Sequence, residues 1–202
     1  MWALFESIPI LLYRMLIPTT NKKDMKKLLT LAVLLMMSIG AWAEQTAIVV
    51  YFSATGTTAK VAKMLAEKKD AVLWEIQPAE PYTAEDLDWR NEQSRSSVEM
   101  RDPEARPTIL QCTNIMPYSE VYLGFPIWWG ICPRIIDSWL ENNVEMLEGK
   151  TIYPFATSGG SAIDEAVEYL RTHYPTLNWQ DGKLLAKKGQ CDHIQVEHTL
   201  DW

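Results

Sequence analysis

Ile48-Val49-Val50-Tyr51-Phe52-Ser53-Ala54-Thr55-Gly56-Thr57-Thr58-Ala59-Lys60-Val61-Ala62 is the segment from which the architecture can be worked out. It opens on an unbroken apolar, β-branched and aromatic run, the pattern of a strand buried on both faces. A hydroxyl-rich turn around one glycine follows. Val61, Ala62, Leu65 and Ala66 then recur at helical spacing, so a helix leaves the turn. Strand, turn and helix start in succession make a phosphate site, because unbonded backbone N–H groups and the positive end of the helix dipole converge there. Ser53, Thr55, Thr57 and Thr58 add neutral donors. The turn lacks G-x-x-x-x-G-K-[ST], so no lysine waits for a γ-phosphate. It also lacks G-x-G-x-x-G, so a pyrophosphate has no close glycine approach. A terminal phosphate monoester suits what remains. The competing reading is a plain helix cap, with Ser53 or Thr55 as N-cap.

On the C-terminal side, Ala71–Ile76 reads as a second strand, and the β-α-β order implies parallel pairing. Pro78 and Pro81 end it. Thr83 with Asp86 makes a capping box that predicts a helix from about Ala84 to Met100. Glu120–Phe125 is a near-continuous apolar third strand running into Pro126-Ile127-Trp128-Trp129-Gly130. Ligands of open α/β sheets bind beyond the C-terminal ends of strands, and two indoles there offer a stacking face for a planar ring. Pro133 suits a first helical turn, with Ile135, Ile136, Trp139 and Leu140 as the buried stripe. Lys150–Ala156 is the fourth strand, and Pro154 predicts a strand end or a bulge. Thr157-Ser158-Gly159-Gly160-Ser161 is a second hydroxyl-and-glycine turn before a helix, Asp164–Arg171. Lys183–Ala186 supplies a fifth strand, and Cys191–Trp202 leaves room for only a short terminal helix.

With these segments in view, Ser53-Ala54-Thr55-Gly56-Thr57-Thr58 resembles the phosphate loop of the flavodoxins, which bind flavin mononucleotide (FMN). Pro126-Ile127-Trp128-Trp129-Gly130 resembles that family's isoalloxazine loop, its tandem tryptophan specific to the larger-loop branch. Thr157-Ser158-Gly159-Gly160-Ser161 resembles the third flavin loop. The resemblance covers about Gln45 to Gly189. It implies a flavodoxin-like α/β three-layer sandwich, with a five-stranded parallel sheet of order 2-1-3-4-5. It also implies FMN as cofactor, held by these three loops. Glu80-Pro81-Tyr82 resembles the same branch and would bring Tyr82 near the flavin edge; the alternative for Tyr82 is a surface turn. Gly130 would let the peptide before it turn over at low cost, a movement the family's flavin loops are known for.

The first 43 residues read as a leader. Met25-Lys26-Lys27 is a basic start, Leu28–Gly40 an apolar core, and Ala41-Trp42-Ala43 an A-x-A site. The expectation is an upstream extension over 1–24, a signal peptide over 25–43, and an FMN-binding domain over 44–202. Export to the periplasm would follow, with no stable membrane anchor after cleavage. The whole chain carries −7. Residues 1–43 hold five basic and two acidic side chains, a charge of +3, which leaves −10 on the remainder. So acidic a domain does not seek nucleic acid, and it suits partners with a basic docking face.

Cys112, Cys132 and Cys191 form no C-x-x-C, and a structural role as free thiols is preferred for them. His173, His193 and His198 lack zinc spacing with the cysteines. No G-x-S-x-G supports a serine hydrolase. Two activities stay open. One is an electron carrier between redox partner proteins, with a potential lowered by the acidic surroundings; the other is an NAD(P)H-dependent quinone or FMN reductase on the same fold. The absence of a dinucleotide fingerprint favours the carrier.

Overall fold

The structure, a computed structural model, describes residues 46–187. The expected leader, the terminal helix, Cys191, His193 and His198 lie outside the described residues. β1 (Ala47–Tyr51) is buried at every position and occupies the interior of the sheet. It pairs in parallel with β2 (Val72–Glu75) and with β3 (Glu120–Pro126), in registers Ile48↔Val72 and Val49↔Tyr122. β4 (Thr151–Ser158) pairs in parallel with β3, and the order is β2-β1-β3-β4-β5, as the sequence predicted.

Alternate residues of β1 go to opposite faces, and each face has its own helices. Ile48, Val50 and Phe52 pack with Val121, Leu123 and Phe125 under α3 (Arg134–Leu147) and α4 (Asp164–His173). Trp139 of α3 is 1% exposed there, and burying such a side chain stabilises by about 1.5–3 kcal/mol. Ala47, Val49 and Tyr51 face the other way, onto Val61, Ala62, Leu65 and Ala66 of α1 (Thr57–Lys69). Asp70 ends α1 in a left-handed conformation, its N–H returning to Ala66 and Glu67, while Lys68 and Lys69 complement the helix dipole.

The fifth strand position is filled by two pieces, β5 (Asn178–Trp179) and β6 (Lys183–Lys187), each parallel to β4. Pro154 explains the division. Ile152 O accepts from Gln180 N on one side of β4, and Thr157 O accepts from Ile127 N on the other. Backbone groups alternate sides along a strand, so Pro154 faces the β5/β6 side. β5 stops opposite Ile152 and β6 starts opposite Phe155. The missing N–H thus falls in the break between them, where no ladder bond is lost. The bulge lies nearby, between Ala156 and Thr157.

The segment from Gln77 to Ser119 departs most from expectation. The Thr83–Asp86 box forms: Thr83 N–H donates to Asp86 Oδ2 (2.9 Å) and Asp86 N–H to Thr83 Oγ1 (3.2 Å). Yet no helix runs from Ala84 to Met100. The box closes one turn, and the only helix of this segment among the described residues is α2 (Arg95–Arg101), capped by Ser94. Between them, and again after α2, a chain of Asx turns carries the backbone. Asp88, Asn91, Asp102 and Asn114 each accept from the N–H two residues on. These short polar side chains satisfy the backbone locally and so compete with helix formation.

Candidate functional site

β1, β3 and β4 end side by side, and the three loops named from sequence leave from those ends. Gly56 is the N-cap of α1, at φ +82°, and no side chain caps the helix. The capping alternative for Ser53 or Thr55 therefore fails. The first-turn N–H groups of α1 keep their donor capacity, and no acidic residue competes for them in that turn. Ser53 Oγ is buried and has no hydrogen-bond partner. Thr55 is exposed, its hydroxyl 3.4 Å from that of Thr57. This is a cradle of donors suited to an anion.

Thr58 is differently engaged. It is 1% exposed, and its Oγ1 lies 2.9 Å from Thr157 Oγ1 of the third loop. The pair has two hydroxyl protons and spends one on this bond, so one is left for a ligand. The same contact ties the third loop to the first. Ile127 N–H, donating to Thr157 O (2.9 Å), ties the second loop to the third. Beyond Thr157 the third loop opens out: Ser158 Oγ accepts from Gly160 N (3.0 Å), and Gly159, Gly160 and Ser161 are exposed.

The tandem-tryptophan segment is a tight turn. Trp128 N donates to Ile131 O (2.9 Å) and Ile131 N to Trp128 O (3.1 Å), with Trp129 at φ +47° and Gly130 at φ +90°. Positive φ at both central residues defines a type I′ turn. For tryptophan that conformation costs on the order of 1–2 kcal/mol, and such strain gathers at ligand sites. It also alters the expectation about the Trp129–Gly130 peptide. Turning that peptide over would rotate Trp129 ψ by about 180° at positive φ, into a region open essentially to glycine alone. The rotation is easy for Gly130 and costly for Trp129.

The two indoles take different places. Trp128 is half-buried, edge-on to Phe52 (5.8 Å between centroids) and to Tyr82 (5.4 Å). Trp129 stands out, 51% exposed. Tyr82 is thus not a surface-turn residue. Its ring backs Trp128, its hydroxyl donates to Glu99 Oε2 (2.6 Å), and the Arg95 guanidinium lies 4.1 Å over its face. Burial, reinforced by Glu99, holds the phenol well above its ordinary range, so it stays protonated.

A cavity of about 490 Å³ joins the first two loops, lined by Ala54, Thr55, Thr58 and Pro126 to Trp129. Leu87, Trp89 and Ser96 complete it from the segment after β2. None of these three stood out from the sequence, where a tryptophan in a polar stretch, Trp89, was the available signal. Tyr82 and Ser53 instead line a neighbouring cavity of about 380 Å³. Cys112 and Cys132 are free, the first exposed and the second buried, with burial raising the Cys132 thiol.

A flavodoxin family profile matches residues 46–198. No curated protein sequence matches the chain. Among solved structures, a protein of Bacteroides eggerthii thought to be a flavoprotein is 50% identical, with a TM-score of 0.67 over 69% of this chain and 87% of its own. A counterpart from Bacteroides uniformis is 46% identical, with a TM-score of 0.69 over 78% of this chain and 96% of its own. A flavoprotein of Lactobacillus acidophilus solved with FMN shares the fold at 21% identity, with a TM-score of 0.59 over 71% and 93% of the two chains. With sheet order, loop positions and profile in agreement, the chain belongs to the flavodoxin family.

Proposed function

We propose that this chain is an FMN-binding electron carrier acting between protein partners. The observation that carries the reading is the uncapped start of α1, at the cavity that Thr55 and Thr58 line. A phosphate monoester would satisfy its open N–H groups. In this reading residues 53–58 hold the phosphate, 126–130 flank the ring, and 157–161 approach its pyrimidine edge. Tyr82 acts from behind, by fixing Trp128. FMN, when bound, supplies the electron-accepting chemistry, and the protein sets its position and potential. Trp129, exposed beside the cavity, gives a partner protein an edge to meet. The −10 charge outside residues 1–43 favours a partner with a basic face. Export through the 25–43 leader, with 44–202 as the mature domain, belongs to the same proposal. No helix among the described residues is long and apolar enough to cross a membrane.

Acid extraction of the purified protein followed by chromatography should release FMN; FAD as the main flavin would overturn the reading. NAD(P)H oxidation with a quinone by the purified holoprotein would move the assignment from carrier to reductase.

Thr55→Val should weaken FMN binding about ten- to a hundredfold, since a hydroxyl donating to a charged phosphate contributes roughly 1.5–3 kcal/mol. Thr55 is exposed, so the fold should be nearly unaffected. A fluorescence titration showing wild-type affinity would leave the loop without a phosphate role.

A further inference from the structure

Ser96 lines the larger cavity from α2, is 2% exposed, and has no partner for its hydroxyl. Its neighbours do better. Ser94 and Ser97 bond to each other (2.8 Å), and Ser138 of α3 donates back to Arg134 O (3.3 Å), the usual resort of a helical serine. Ser96 takes neither course. Its backbone is held firmly, with the N–H donating to Asp86 O (3.0 Å) in the turn that the Thr83–Asp86 box closes. A buried hydroxyl left unpaired costs about 1–3 kcal/mol, and such groups mark places where something else supplies the bond. It shares the cavity with the apolar Leu87, Trp89, Ile127 and Trp128, and with Thr55 and Thr58 of the first loop. A few polar groups set in a mostly apolar lining fix the orientation of a ligand.

We infer that Ser96 is a flavin-binding residue that hydrogen-bonds the ring system from the segment after β2, outside the three loops. The inference rests on the FMN reading above. The phosphate already has the α1 N-terminus, Thr55 and Thr58, whereas Ser96 comes from the same segment as Trp89, and the indoles of Trp89 and Trp128 in the lining suit a ring. Leu87, Trp89 and Ser96 together make this segment a fourth wall of the flavin cleft.

The test compares wild type, Ser96→Ala, Ser96→Thr and Thr55→Val, with the flavin removed and then titrated back as FMN or as riboflavin, which lacks the phosphate. Ser96→Ala should lower affinity for both flavins about three- to tenfold, the worth of one neutral hydrogen bond. Ser96→Thr, which keeps the hydroxyl, should restore most of it, and Thr55→Val should affect FMN alone. The flavin-free Ser96→Ala protein should unfold at the same temperature as wild type or higher, because an unpaired buried hydroxyl has gone. Unchanged riboflavin affinity in Ser96→Ala would overturn the inference, and so would a loss of affinity that merely follows a lower flavin-free unfolding temperature. If wild type binds neither flavin, the FMN reading falls with it. If wild type binds both and Ser96→Ala binds equally well, only the role of Ser96 falls.

Discussion

Asp137→Ala should lower the stability of the domain by roughly 3–5 kcal/mol, the range for removing one partner of a buried ion pair. In a domain of this size that is a fall of roughly 6–20 °C in the unfolding midpoint. Asp137 is fully buried in α3. Its Oδ1 accepts from Tyr174 (3.0 Å), Tyr169 donates at 3.1 Å, and Arg134 Nη1 lies 3.4 Å from Oδ2. Arg134 is itself 6% exposed and also reaches Met100 O. Without the carboxylate, a buried guanidinium loses its counter-charge and two phenols lose an acceptor. A thermal melt within 2 °C of wild type would show that this network does not hold α3 to α4.

Burial raises the Asp137 carboxyl above its ordinary range, against the lowering effect of Tyr174, Tyr169 and Arg134. The folded protein therefore keeps a proton that the unfolded chain has already lost. This contribution to stability is full below the unfolded pKa of about 3.9 and is lost as pH rises through the folded value. Relative to Asp137→Asn, which does not titrate, wild type should lose stability over that interval. An opposite slope in paired denaturant titrations would contradict the direction of the shift. Burial is thus what makes the carboxyl costly to ionise, and Arg134 beside it is what makes its removal costlier still.

Gly130→Val should cost about 2–3 kcal/mol, because a β-branched side chain at φ > 0 is a true steric outlier. The added Cβ would also sit 2.5 Å from Glu165 Oε2. Glu165 is exposed and can swing aside, so the backbone term dominates. Relief would come from abandoning the type I′ turn, which would carry both tryptophans away from the cavity. FMN affinity should then fall together with stability. Wild-type stability and affinity in the variant would mean that the turn tolerates another form.

Much of this was legible because strands buried on both faces leave unbroken apolar runs. β1, β2, β3 and β4 were each placed to within about two residues, a helix leaves the first turn as expected, and α4 begins at Asp164 as expected. The turn over residues 53–58 was legible for a different reason: its geometry is local, set by a strand end and a helix start. What escaped was chemistry assembled over distance. Tyr82 reads as a turn residue until Phe52 and Trp128, from just beyond β1 and β3, close around it. Ser96 reads as one of several serines until burial separates it from them. The helix expected over 84–100 failed because a capping box signals a turn whether or not a helix follows. The aspartates and asparagines after it announced a different backbone.

The interior position of β1 has a consequence for how the chain is made. β1 is synthesised before both its neighbours, and its partner β3 begins at Glu120, 73 residues after Ala47. At about 5–20 residues per second, roughly 4–15 seconds of elongation separate the two. Through that interval the most apolar strand of the sheet has at most β2 beside it, leaving an open edge competent to pair with another nascent chain. The Asx turns between β2 and β3 need no distant partner and close as they emerge. Of the two sides of β1, one is therefore exposed throughout, and it is there that a chaperone, or an aggregate, would first take hold.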